Sequence, residues 1–230
     1  MDILNFISWI KGSRVFTNVD PNKTLLPVGL KDDRRGDNYL AGAISVADFI
    51  TQLSTIVPPT VNVGLYSQTV SSTPITNTIL ESDLISTGVG SLFIPANGFK
   101  IGDSFNSKLI GHLSCNSSAT IRFRIKAGTT ILADTGVIAM STSTNKHWEM
   151  DISFTVRTLG ATGVASIASG GVFSYIKNAG TNFEGIDFSI INNTTFDTTT
   201  NNTLKITAEW GAASSANSIY SEIFILNKTY

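Results

Sequence analysis

The chain has one cysteine, Cys115, two histidines and six prolines in 230 residues, and charged residues make up only 14% of it. A lone cysteine excludes an internal disulfide framework. Three Cys and His side chains fall short of the four ligands of a structural zinc site, and His112 and Cys115, three apart on a predicted strand, face opposite ways. No apolar run approaches the ~18 residues of a membrane span. With 16 basic and 17 acidic residues, the chain has no charge excess with which to hold duplex DNA or an anionic bilayer, so neither nucleic acid nor membrane is an expected partner. The start, Met1-Asp-Ile-Leu-Asn5, lacks the basic region of a secretory leader, and synthesis in a cytosol is expected.

Signs of catalysis are equally sparse. No G-x-S-x-G elbow occurs, and His112 and His147 are the only imidazole bases. Glu149 and Asp151 share a face of one predicted strand, and Glu184 and Asp187 fall near a predicted loop. Glycosidases set two carboxylates across a cleft, but a same-face pair at a polar strand edge reads as solvated. Gly160-Ala-Thr-Gly163 and Gly170-Gly171 read as turns between strands, not phosphate loops. The chain is therefore read as no enzyme, with no catalytic residue, cofactor or metal.

What fills the sequence is 26 Ser, 28 Thr and 18 Asn, with 42% hydrophobic residues, the composition of a polar-surfaced β protein. Six N-x-[ST] sequons follow from that richness alone. Ten of the 33 charges lie between Lys11 and Asp37, a stretch broken by Gly, Pro and Asn that shows neither helical nor strand period. Residues 1–59 read as an anchor arm. Ile3, Phe6, Ile7 and Ile10 recur at helical spacing over 2–10. Ser45 and Asp48 form an S-x-x-D box before Val46, Phe49, Leu53 and Ile56, an a/d seam in a short helix over 46–56 that Pro58-Pro59 ends. Such a helix is too short to stand alone.

From residue 60 the period becomes two. Ile121, Phe123, Ile125 and Ala127 alternate with Arg122, Arg124 and Lys126, a half-buried antiparallel strand whose basic stripe reads as its wet face. Further strands are expected near 61–66, 75–81, 90–94, 104–115, 130–133, 151–157, 163–169, 171–177, 186–191, 204–210 and 217–227, separated by turn chemistry such as Asn97-Gly98. The fold class is mostly β, an antiparallel β-sandwich or jelly roll over 60–230. The runs at 172–176 and 223–226 are apolar on both faces, so Phe224 and Leu226 are expected at a subunit interface. The longest polar loop, Asn192–Asn202, reads as a solvated connection.

The segments Gly88-Val-Gly-Ser-Leu-Phe-Ile-Pro-Ala-Asn-Gly-Phe-Lys-Ile-Gly-Asp-Ser-Phe105 through Gly111-His112, Ile121–Gly128, Leu132–Gly136, Trp148–Gly160, Leu204–Trp210 and Asn217-Ser-Ile219 resemble, in that order, a pattern in virion structural proteins of tailed bacteriophages. The resemblance covers about 85–230 and is a pattern of strands and turns. It implies a jelly-roll tip of a head fibre or tail fibre, commonly trimeric, on the virion surface. It carries over no active-site residue. The arm would then dock on a capsid or tail protein, with Ile3, Phe6, Trp9 and Ile10 as apolar contacts and Lys31, Asp32, Asp33, Arg34 and Arg35 as charged ones, while Val46, Phe49, Leu53 and Ile56 join the homotrimer. The alternative is a carbohydrate-binding tip module, with a host-surface glycan as partner.

Overall fold

The computed structural model describes residues 25–31, 39–45, 63–179 and 182–229. The chain divides into two compact units, Met1–Thr60 and Val61–Tyr230. In the first, β1 (Leu25–Lys31) pairs antiparallel with β2 (Tyr39–Ser45), in register from Leu25↔Ser45 to Lys31↔Tyr39. β1 lies inside the charged stretch that was expected to be irregular. The apolar run Leu25, Leu26, Val28 and Leu30 between charges finds its ladder in Tyr39–Ser45, and an edge strand tolerates Pro27, which lacks an N–H. Lys31 closes β1 and Ser45 closes β2. The expected helices over 2–10 and 46–56, and with them Ile3, Phe6, Trp9, Ile10, Val46, Phe49, Leu53 and Ile56, lie outside the described residues, as do Asp32, Asp33, Arg34 and Arg35.

The second unit is built of two antiparallel sheets, with no helix among the described residues. Its strands are β3 (Val63–Gln68), β4 (Ile75–Thr76), β5 (Ser82–Asp83), β6 (Gly88–Gly90), β7 (Phe93–Ile94), β8 (Ser104–Cys115), β9 (Thr120–Ala127), β10 (Thr130–Asp134), β11 (Ile138–Ala139), β12 (Ser143–Thr158), β13 (Ser166–Ile176), β14 (Phe183–Asn192), β15 (Asn202–Trp210) and β16 (Ser218–Lys228). The eight-stranded sheet runs β14-β13-β12-β8-β16-β3-β6, with β4 also on β16. The six-stranded sheet runs β10-β9-β15-β5, with β11 on β9 and β7 on β15.

Alternation decides which side chains lie between the sheets. β8 and β9 bury every second residue without a fault, as expected of strands with one face on a core. The Phe123 ring, from the smaller sheet, lies 4.5 Å from that of Phe173 and 6.4 Å from that of Trp148, both from the larger. Each fully buried ring contributes ~1.5–3 kcal/mol relative to exposure. The indole N–H of Trp148 donates to the carbonyls of His112 and Tyr220, and that of Trp210 to the carbonyl of Ile75, so neither carries an unpaired donor into the core.

Two glycine positions show how turns and packing were coded. Gly128, at φ 61°, makes the tight connection between β9 and β10 that Ala127-Gly128-Thr129 predicts. Gly170-Gly171, expected to be a turn, instead lies in the middle of β13, which runs unbroken from 166 to 176. A side chain at Gly171 would stand 2.7 Å from the Phe188 ring and 2.4 Å from the carbonyl of Asp151. The glycine is there to let a neighbouring ring and backbone approach.

Candidate functional site

Three features of the second unit bear on function: the outer face of each sheet and one cavity. On the smaller sheet, Arg122, Arg124 and Lys126 project outward from β9. They are not a free basic stripe. The Arg122 guanidinium is bidentate on Asp134, and Arg124 Nη1 reaches Glu81 at 2.8 Å and Glu209 at 2.5 Å. Lys126 pairs with the second oxygen of Glu81, which also accepts the Thr207 hydroxyl. Arg124 is only 13% exposed. Burial pushes the Asp134 carboxyl up, but the Arg122 bond, the Gly136 N–H and the neighbouring guanidinium charges outweigh it and hold the carboxyl below its usual range. Three bases meet three acids, so this face offers little net charge to an anionic partner.

The outer face of the larger sheet is different. One row crosses it from edge to edge through the registers Val89↔Ser67, Ser67↔Ile225, Ile225↔Lys108, Lys108↔Asp151, Asp151↔Val172 and Val172↔Asp187. In the next row Ile223 stands opposite Ile110, which stands opposite Glu149. Lys108 Nζ lies 3.3 Å from Glu149 and 3.5 Å from Asp151. Around that small charge cluster, Val172 is 51% exposed, Ile223 43% and Ile225 39%. The same-face carboxylates of the sequence are thus brought together, but around a lysine, with no cleft between them. His112 Nδ1, 3.4 Å from Glu222, sits beside this cluster with its ring stacked on Tyr220.

Phe224 and Leu226, expected at a subunit interface, require a correction. Both are buried in the core of their own domain, and the outward pair on β16 is Ile223 and Ile225. The physical reason is a bulge. Ile219 and Ser221 point inward, and the register shift between Ser221 and Ile223 moves the inward set to Phe224 and Leu226. A four-residue apolar run does not reveal which half faces in, and the bulge removes the parity that would have told.

The cavity, of about 310 Å³, opens at the end of the domain where β3 begins and β16 ends. Its walls include Phe99, Phe105, Phe154, Phe196, Leu204 and Leu226. The rings of Phe99 and Phe196 meet at 5.6 Å. At its rim Lys228 Nζ lies 2.6 Å from Oδ1 of the buried Asp103, whose Oδ2 accepts the Lys100 N–H. Asp103 and Lys228 are the only ionisable groups in the lining, and each satisfies the other. The arrangement can receive an apolar group.

The loop after β14 is also more ordered than its composition implied. Asn192 Oδ1 accepts the N–H groups of Thr194, Thr195 and Phe196, and its Nδ2 donates to the Ile131 carbonyl. Asn202 Nδ2 donates to the carbonyls of Asp197 and Thr200. Phe196 is fully buried and pins the loop to the core. Asn192 and Asn202 bond mostly within the loop, in the local pattern these residues favour, while Asn201 and Thr198 tie it to Ala96 and Gly160.

Cys115 faces inward and is buried, which raises its thiol, while His112 faces outward. Among the described residues no group of three or more His, Cys, Asp and Glu is placed to hold a metal, and no helix is long and apolar enough to cross a membrane. The chain matches no protein-family model and no curated protein.

Proposed function

We propose that this chain is a structural protein of a tailed-bacteriophage virion, a head-fibre or tail-fibre component with an N-terminal anchor arm and a jelly-roll tip that assembles with copies of itself. The observation that carries the reading is the outer face of the eight-stranded sheet, where Ile110, Ile223, Ile225 and Val172 stand around a single lysine. Large apolar side chains grouped on one face mark a surface that meets another protein. The phage attribution rests on the resemblance of segments within 88–219. In the fold these supply the framework: β6 to β8, the β9–β10 hairpin, β12 and β15. A homotrimer, with the 46–56 seam at its axis and residues 1–59 on a capsid or tail protein, is the assembly that resemblance implies.

The test is location. Antibodies against the 61–230 unit, imaged by electron microscopy on purified particles whose genome encodes the chain, should label the particle surface at symmetry-related positions. Alanine at Arg34 and Arg35 should lower the copy number per particle while the free protein keeps its melting temperature. Unlabelled particles lacking the chain would overturn the proposal.

A further inference from the structure

We propose that the edge of β14, which no other strand pairs among the described residues, is a self-recognition strand: two copies of the chain pair their β14 strands antiparallel about a two-fold axis at Phe188, joining two eight-stranded sheets into one. This concerns the second unit alone and is separate from the three-fold association proposed for residues 46–56.

A sheet edge presents a row of unpaired N–H and C=O groups, and soluble proteins shorten, bulge or charge such edges to prevent pairing. The other edges of this domain, among the described residues, are treated in that way. β6 has three residues and β5 two, and β10 has five with a register shift between Ile131 and Ala133. β14 is ten residues long, follows β13 with no register shift, and contains no Lys, Arg or Pro. On its inner face Ile186 and Phe188 are half-buried against the core, and Ile190 is 41% exposed. The strand is therefore long and regular, and from Ile186 to Ile190 it is apolar on the side that a neighbouring strand would extend, while Glu184 on the same face is already held by Tyr175 and Lys177.

Its sequence also names the partner. Antiparallel neighbours share a face, so a two-fold pairing must place its axis on a residue; an axis between residues would turn inward side chains outward. With the axis on Phe188, every residue from Glu184 to Asn192 finds a partner within the bounds of the strand. Phe188 then faces Phe188 of the second copy, and Ile186 faces Ile190. On the outer face Asp187 meets Ser189, and Ile191 lies over Gly185, where the missing side chain leaves room. Rival axes are worse. One on Asp187 sets two carboxylates directly opposite, which destabilises a strand pair. One on Ile186 or on Ser189 leaves three strand residues without partners. The segment Ile186-Asp187-Phe188-Ser189-Ile190, whose alternation of apolar and polar residues is symmetric about Phe188, thus fits a second copy of itself, in one register.

Cysteine cross-linking of the full chain reads that register. Directly opposed residues have Cα atoms about 4.5–5.5 Å apart, within the span of a disulfide. Asp187 and Ser189 are exposed, and the native Cys115 is buried. Separately purified D187C and S189C proteins, mixed and mildly oxidised, should form covalent dimers in about half of the pairs by random exchange. Each variant alone should stay uncross-linked on a non-reducing gel. Adding Ile190→Lys to both should lower the yield at least about tenfold, because it sets a charge against Ile186 of the second copy. Melting temperatures matching the wild type establish that the variants are folded. No cross-link in the mixture would overturn the proposal, and so would D187C cross-linking to itself as readily as to S189C. A different protein bound at the β14 edge, with no cross-link, would overturn it equally.

Discussion

On the outer face of the six-stranded sheet each base of β9 has an acid in contact; on the outer face of the eight-stranded sheet one lysine serves Glu149 and Asp151 while Ile223, Ile225 and Val172 meet solvent. The two sheets share one core, and their inner faces follow the same rule. The difference lies outside. The smaller sheet pairs the bases of β9 with acids of its own chain, and its exposed apolar side chains, Phe93 and Ile131, stand on the short outer strands β7 and β10. The larger sheet leaves apolar side chains and one long strand edge unused. A surface that is costly to leave bare and is nonetheless present is what assembly would cover.

The largest effect is expected where the two sheets meet. Trp148→Ala removes a fully buried indole that packs near Phe123 across the interface, and should cost ~3–5 kcal/mol. Urea unfolding should lose most of its stability margin, because this core is common to both sheets. A change of under about 1 kcal/mol would break the shared-core account.

Next comes the comparison of the outer faces themselves. Arg124→Ala strands Glu81 and Glu209 without their guanidinium, at a cost of ~1–2 kcal/mol. The same experiment with Ile225→Ser should change the stability of the dissociated chain by ~0.5 kcal/mol or less, while weakening association. Equal stability losses from the two substitutions would remove the contrast between the faces.

Much of this was legible in the residues. β8 spans 104–115, where a strand was expected, and β9 carries the faultless Ile121–Ala127 pattern. Period two is a strong signal where one face is buried. What escaped depended on partners distant in sequence. The strand at Leu25–Lys31 owes its ladder to Tyr39–Ser45. The glycine pair at 170 and 171 reads as a turn until Phe188 and Asp151 are seen to crowd it. Arg122, Arg124 and Lys126 look like an unpaired stripe because Glu81, Asp134 and Glu209 come from three other segments. The inward half of 223–226 was hidden by the bulge at Ser221.

The smallest expected effect is a pH dependence at the edge strand. Lys177, the Ser141 and Tyr175 hydrogen-bonding groups and the Lys177 charge lower the Glu184 carboxyl from 4.5 to about 2. A carboxylate depressed in the folded state stabilises it fully above the ordinary value, and that contribution is lost as pH falls from about 4.5 through about 2. Glu184→Gln should flatten the acid limb of the melting-temperature curve in that window only. The side chain is about one-third exposed, so solvent screening keeps the effect small. A difference above pH 6 of the same size as at pH 3 would contradict the assignment.

The central claim is that the larger sheet is finished by another copy of the chain. Sedimentation equilibrium of the full-length wild-type protein across the micromolar range tests it directly. The account predicts a mass of at least two chains that falls toward one on dilution. A single species of 24.6 kDa at every concentration would contradict it.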